Sequence, residues 1–187
     1  MATNEELFRE WQSGKASALA TLVQRHHAPL VAHFYRLLGD AQQAEDLAQE
    51  TFFRLVRNAR SYRYPHPFLP WFYRIARNLA RNYQQSAYHR YVDLQADLPE
   101  TLIDGADPLA WVERQERQAD LLNALAHLSF EQREVLSLRF GQELTVKATA
   151  EVLGVPVGTV KSRTFSALRL LRTYVEPTSL RQTERRS

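Results

Sequence analysis

Between Thr51 and Val92 the chain places eight arginines and eleven of its twenty aromatic residues, with no acidic residue among them. Arginine tracks a phosphate backbone, and an aromatic ring stacks on an unpaired base for ~1–3 kcal/mol, so this interleaving describes a platform for single-stranded nucleic acid. Part of the aromatic content must be core, and Phe52, Phe68, Phe72 and Ile75 are expected to pack a helix bundle. The remainder, including Tyr62 and Tyr64 in the proline-bearing stretch SYRYPHP, can hold an extruded base. Opening duplex DNA costs ~1.4 kcal/mol per base-pair step on average, so a few stacked bases offset the opening of a few steps without ATP.

A second constellation lies between Leu144 and Arg172. Thr145 can cap a helix carrying Ala148, Val152 and Leu153 on one stripe, Gly154 can end it in a left-handed conformation, and Pro156 blocks continuation. From about Val157 a second helix buries Val160, Ala167 and Leu171 and turns Gly158, Lys161, Ser162, Phe165, Arg169 and Arg172 outward. This is a helix-turn-helix pattern. An exposed phenylalanine among cations suits a groove that offers both phosphates and thymine methyls. The same shape also occurs in helical pairs with a purely structural role.

A third outer face belongs to the helix Ala41 to about Asn58, opened by Asp40 with Gln43. Ala44, Leu47, Ala48, Thr51 and Leu55 turn inward, while Asp46, Gln49, Glu50, Phe53 and Arg57 share the outside. An aromatic ringed by polar groups is how small protein interfaces concentrate their energy. A solvated charged face is the alternative on pattern alone.

The elements that must position these faces are helical throughout. Asn4 to Trp11 reads as a short helix, and Ser17 is expected to cap a long one that ends at Gly39 and kinks at Pro29. His26, His27 and His33 lie on it without further ligands, so surface histidines rather than a metal site are expected, and no cofactor is implied. Residues 93–110 hold five acidic residues, no basic ones, two prolines and one glycine, which reads as a linker. The twenty-four residues from Val92 to Gln115 reach up to ~80 Å when extended, enough for two DNA sites about two helical turns apart. Ser129 with Gln132 caps the helix after it, and the last ten residues read as disordered. The net charge of +3 divides into two basic modules around an acidic segment, as in a nucleic-acid binder with a linker. The absence of cysteine suits a reducing compartment, no segment reads as a membrane span, and the acidic, polar start is unlike a signal peptide, so a cytoplasmic protein is expected.

On these residues the chain resembles the sigma-70 family of bacterial RNA polymerase sigma factors, specifically the small extracytoplasmic-function (ECF) type. GVPVGTVKSR, preceded by LSFEQREVLSLRF, is similar to sigma region 4; AEDLAQETFFRL is similar to region 2.2; WFYRIARN resembles the WLxxIARN signature of regions 2.3 and 2.4. The resemblance implies that Asp46, Gln49, Glu50 and Phe53 dock on the β′ subunit of core RNA polymerase. It implies that Trp71, Arg74, Arg77, Asn78 and Arg81 face the displaced strand of the minus-10 element or brace the helix that does, with the loop from Asn58 to Pro67, and so Tyr62 and Tyr64, contributing to base choice. It further implies minus-35 contacts at Lys161, Ser162, Arg163 and Phe165, beside Arg169 on the same outer face. Residues Ser166 to Leu168, Thr149, Asn82 and Gln85 depart from the common family pattern. Core polymerase, with its β and β′ subunits, and promoter DNA are the implied partners, and an anti-sigma factor is a further candidate.

The expected architecture is therefore all-α: a region 2 helix bundle over residues 1–91, a flexible acidic linker over 92–115, a region 4 helix-turn-helix domain over 116–175 and a tail over 176–187. A stand-alone helix-turn-helix regulator would explain the second domain but leave DLAQE and IARN without a purpose. An enzyme fits poorly, because the chain has no glycine-rich phosphate loop, paired-histidine metal helix or nucleophile elbow.

Overall fold

The computed structural model describes residues 2–94 and 123–175. The linker expected over 92–115 lies outside them except at its first three residues, and the expected tail lies outside them altogether. The described residues are helical, with no strand among them. Helix α1 (Asn4–Gln12) starts at a capping box in which Thr3 accepts from the Glu6 amide and the Glu6 carboxylate accepts from the Thr3 amide. Helix α2 (Ala16–Leu38) runs through Pro29 as one element and ends at Gly39, whose φ of 74° needs a residue without Cβ. Its N-cap is Lys15, with no side-chain cap, so the expected capping by Ser17 is corrected: Ser17 lies inside the first turn. Helix α3 (Ala41–Arg57) is capped by Asp40, which accepts from the Gln43 amide at 3.0 Å. A short 3-10 turn (Ala59–Ser61) and an irregular loop lead into α4 (Phe68–Leu94), which continues past the expected boundary at residue 91.

These four helices close on a common core. Leu22, Leu30 and Phe34 of α2, Ala44, Ala48 and Leu55 of α3, and Phe68, Phe72 and Ala76 of α4 are fully buried, and Phe8 of α1 plugs one end. Phe68 and Phe72 stack with centroids 5.5 Å apart, and Phe52 packs against Phe72 at the same distance. Thr51 sits in this core because its hydroxyl donates to the Leu47 carbonyl of its own helix at 2.7 Å.

The second half begins with a helical turn at residues 123–126 and the capped helix α5 (Phe130–Leu136), where Ser129 and Gln132 form the expected capping box. One wide π turn (Ser137–Gly141) follows directly. Helix α6 (Val146–Leu153) is capped by Thr145 and stopped by Gly154 at φ 61°, and α7 (Val157–Val175) follows the turn at Pro156. Val135, Leu138, Val152, Leu153, Val160 and Ala167 form the shared apolar interior of this half.

The two halves are packed against each other. The π turn rests on α2 and α6 rests on α4. His33 of α2 meets Ser137 at 2.8 Å in a fully buried contact, the Tyr73 hydroxyl donates to the Gln142 side-chain oxygen, and the Gln142 amide donates to the Pro29 carbonyl at 2.9 Å. The expectation of surface histidines is thereby corrected for two of the three. His33 and His26 are buried, His26 beside Phe68, Phe72 and Asn4, because each ring finds an aromatic contact and one polar partner. His27 remains partly exposed beside Glu45 at 2.9 Å.

Burial, reinforced by the nearby Arg36 charge, pushes His33 down to about 3, and burial with Arg25 pushes His26 down to about 4. A histidine lowered on folding stabilises the fold fully above its unfolded value near 6.5, and that stability is lost as pH falls toward the folded value. Glu134, raised to about 7 by burial, acts in the opposite sense: its contribution is fully present below the usual carboxylate range and is lost as pH rises through 7. Between pH 6.5 and 5 the two histidines outweigh the single carboxylate, by about 1.4 kcal/mol per pH unit for the uncompensated proton. The expected outcome is a thermal midpoint that falls across this interval in the wild type and stays nearly flat in His33→Gln, measured by circular dichroism.

Candidate nucleic-acid and polymerase interfaces

The helix-turn-helix presents its second helix outward. On α7 Lys161, Ser162 and Arg169 are exposed and Phe165 is 70% exposed, while Val160 and Ala167 are fully buried on the opposite side. The Ser162 hydroxyl donates its proton back to the Thr159 carbonyl, so its oxygen remains available only as an acceptor. Arg163 sits lower on the helix flank, half-buried, where its charge acts on Glu131 and Glu134 of α5. Leu168 is 45% exposed and extends the apolar strip from Phe165 by one turn. Ser166, one of the departing positions, accepts from the Gln132 side chain at 3.3 Å and ties α7 to α5. Thr149, another, is fully buried in α6.

The loop between α3 and α4 is ordered by rings. Tyr62 is buried, with its hydroxyl donating to the His66 carbonyl and its ring packed edge-on against Phe8 at 5.0 Å. Trp71 is half-buried, donates from its indole nitrogen to the Ser61 hydroxyl at 3.3 Å, and lies 5.2 Å from both Tyr62 and Phe8. Tyr62 and Trp71 therefore shape the loop from beneath. Tyr64 is the ring this loop offers to solvent, 46% exposed, and the Arg9 guanidinium stands over it at 4.5 Å.

Along α4, Arg74 and Asn78 are exposed, while Arg77 and Arg81 are half-buried. Two of these arginines are already engaged by the second half of the chain. Arg74 donates to the Glu151 carbonyl at 3.2 Å and lies 3.5 Å from its carboxylate, and Arg77 lies 3.4 Å from the Glu134 carboxylate. Glu134 is 1% exposed; burial raises it to about 7, with Arg77, Arg81 and Arg163 pulling it back down. Sequence patterning missed both glutamates. Glu134 stood among Phe130, Val135 and Leu136 as an acid inside an apolar run, which was the available signal.

The outer face of α3 stands apart from the seam between the halves. Asp46 and Gln49 are exposed, Glu50 is half-exposed and pairs with Arg54 at 2.7 Å, and Phe53 is 57% exposed with the Arg57 guanidinium 5.7 Å from its ring. The Gln42 amide donates to Asp46 at 3.3 Å. Val56, at 43% exposure, widens the apolar spot beyond Phe53. Among the described residues no cluster of histidine and carboxylate could hold a metal ion, and no helix is long and apolar enough to cross a membrane.

Comparison with known proteins assigns the two halves separately and in order. The family model of sigma-70 region 2 matches residues 22–89 and that of sigma-70 region 4 matches residues 124–173. Among curated relatives, the RNA polymerase sigma-H factor of Pseudomonas aeruginosa is 30% identical over 182 residues, covering 93% of this chain and 94% of that protein. The ECF RNA polymerase sigma factor SigW of Bacillus subtilis is 30% identical over 172 residues, covering 88% of this chain and 92% of that protein. Among solved structures, the sigma factor RpoE of Bartonella quintana, determined in complex with the anti-sigma factor NepR, superposes with a TM-score of 0.71 at 23% identity, covering 84% of this chain and 98% of that one. The paired matches, together with relatives aligned over nearly their whole length, show that this chain belongs to the sigma-70 family of RNA polymerase sigma factors and to its ECF group.

Proposed function

We propose that this sigma factor divides its work among three separate surfaces: α3 docks on the β′ subunit of core RNA polymerase, the α3–α4 loop with α4 captures the displaced minus-10 strand, and α7 reads the minus-35 duplex. The observation that carries the reading is the arrangement of exposed aromatics. Of the exposed aromatics among the described residues, which also include Phe140 and Tyr174, Phe53, Tyr64 and Phe165 fall one on each proposed surface, Phe53 and Tyr64 each with a guanidinium near the ring. The chain supplies no catalytic step of its own and works in the cytoplasm beside the polymerase. An anti-sigma factor is a further partner, in keeping with the Bartonella protein's complex.

The contacts of Arg74 and Arg77 with Glu151 and Glu134 support weak DNA binding by the free chain. While Arg77 faces the buried Glu134 and Arg74 leans on Glu151, less of their charge is free to meet phosphates. Core polymerase, by holding the two halves apart on separate sites, would release them. Each domain's DNA contact is then multiplied by tethering on one enzyme, so neither needs high affinity alone.

The docking surface is tested by pull-down of purified core polymerase. Phe53→Ala and Asp46→Ala are expected to weaken retention by tenfold or more for the ring, since an anchoring aromatic contributes about 2 kcal/mol or more. Wild-type retention in both variants would remove the α3 assignment. For α7, transcription from a selected promoter should fall in Phe165→Ala and Lys161→Ala, and holoenzyme binding of Lys161→Ala should show a salt slope shallower by about 1. A slope equal to that of the wild type would place Lys161 off the phosphates. For the seam, Glu134→Gln with Glu151→Gln is expected to raise single-strand affinity of the free chain by roughly tenfold, about 1.4 kcal/mol in the open population. Fluorescence anisotropy with a labelled oligonucleotide measures it; an unchanged affinity would show that these carboxylates do not mask α4.

A further inference from the structure

Helix α1 lies outside residues 22–89, the span matched by the region 2 family model. Its residues Glu5, Phe8, Arg9 and Gln12 recur at the spacing of one helical face, and all four are committed to the α3–α4 loop. Gln12 donates to the Ala59 carbonyl at 2.8 Å, at the loop's entry. Phe8, fully buried, packs under Tyr62 and Trp71 at 5.0 and 5.2 Å. Arg9 covers Tyr64 at 4.5 Å, and Glu5 accepts from the Phe68 amide at 2.7 Å, where the loop becomes α4. The helix thus touches the loop at its start, its floor, its exposed ring and its end.

We propose that α1 is a positioning element for strand capture, holding the loop in its base-receiving form, with Arg9 fixing the Tyr64 ring as the surface on which a base displaced from the promoter stacks. The proposal rests on the reading that this loop meets the displaced strand. Two physical arguments support it. A loop ordered beforehand does not lose its conformational freedom at the moment of binding, so more of the stacking energy appears as affinity. A guanidinium over one face of a phenol ring holds the ring's plane, leaves the residue close to half exposed, and sets a positive charge where the phosphate beside a stacked base would lie. Of the other charged side chains of α1, Glu6 closes the N-terminal capping box and Glu10 pairs with Lys15 at 2.8 Å. Neither approaches the loop through any contact described above.

The test uses the full chain assembled with core RNA polymerase and a forked DNA duplex whose short unpaired non-template strand is randomised and selected with the wild-type holoenzyme. Wild type, Arg9→Ala, Arg9→Lys, Gln12→Ala, Tyr64→Ala and the double variant Arg9→Ala/Tyr64→Ala are compared for binding the selected fork, the matching closed duplex and core polymerase itself. Arg9→Ala is expected to lose about two- to fivefold on the fork and Tyr64→Ala about five- to a hundredfold, with core binding unchanged in both. Gln12→Ala should lose fork affinity with the same pattern, Arg9→Lys should recover part of the loss, and the double variant should lose no more than Tyr64→Ala, because Arg9 acts through that ring. Reselection with Arg9→Ala should give a flatter base preference in the unpaired strand. Wild-type fork binding by Arg9→Ala beside an impaired Tyr64→Ala would overturn the positioning role while leaving the loop's contact with DNA standing. Additive losses in the double variant would overturn it too, by placing Arg9 on DNA independently of the ring. Wild-type fork binding by Tyr64→Ala would remove the reading of the loop and the proposal together. Thermal midpoints close to wild type are expected for both Arg9 variants, since Arg9 is exposed.

Discussion

A carboxylate removed from water must be matched by a positive charge or take up a proton, and that constraint sets how the two halves of this chain meet. Glu134 is 1% exposed and has Arg77 at 3.4 Å, so the α4 face that carries Arg77 cannot leave α5 without returning both groups to solvent. Such a pair contributes little net stability, because the cost of desolvating two ions is of the same order as their attraction. What it gives is register. The neutral contacts beside it, His33 with Ser137 and Tyr73 with Gln142, keep the same alignment without charge. These polar contacts sit beside an apolar core that runs through both halves, so burial holds the halves together while the hydrogen bonds and the Glu134–Arg77 contact fix their alignment.

The aromatic richness of the first half answers two demands at once. Phe8, Phe68 and Phe72 are fully buried and fill the bundle, whereas Tyr62 and Trp71 form an intermediate layer that carries the loop. Tyrosine and tryptophan suit that layer because each has an apolar body and one polar atom. Here the Tyr62 hydroxyl and the Trp71 indole nitrogen both bond to the loop itself, at His66 and Ser61. The exposed Tyr64 is reached through α1, whose Phe8 packs against Tyr62 and Trp71 in the core and whose Arg9 stands over the Tyr64 ring on the surface proposed to meet DNA.

How much of this was legible in the sequence follows from the range of each interaction. Local signals read well: Asp40, Ser129 with Gln132, Thr145 and Gly154 cap or stop helices where the pattern placed them, and the inward stripes of α3 and α7 are those of the periodicity. The Lys15 cap was missed because Ser17 has the better capping side chain while the chain turn at Gly14 fixes the start earlier. Long-range partners were invisible. His33 is buried by a residue 104 positions away, and a helical projection gives the direction of a side chain without saying what stands there. The burial of Tyr62 was hidden for the same reason, since the ring that covers it belongs to α1, more than fifty residues earlier. The resemblance to sigma regions 2 and 4 supplied the functional assignment of each face, which composition alone left open between a polymerase subunit and an independent regulator.

The pairing of Arg74 and Arg77 with acids of the second half has a consequence for how such a protein can change over time. If DNA is bound only by the fraction of molecules in which these contacts are broken, the apparent dissociation constant at every promoter is divided by that same fraction. A substitution at Glu134 or Glu151 then scales all promoters together and leaves their rank order intact, whereas a substitution on the outer face of α7 reorders them. On the proposed assignment, output strength and promoter choice would be written in different residues. The gain of an entire regulon would then be adjusted at the seam without disturbing the code proposed for the α7 face.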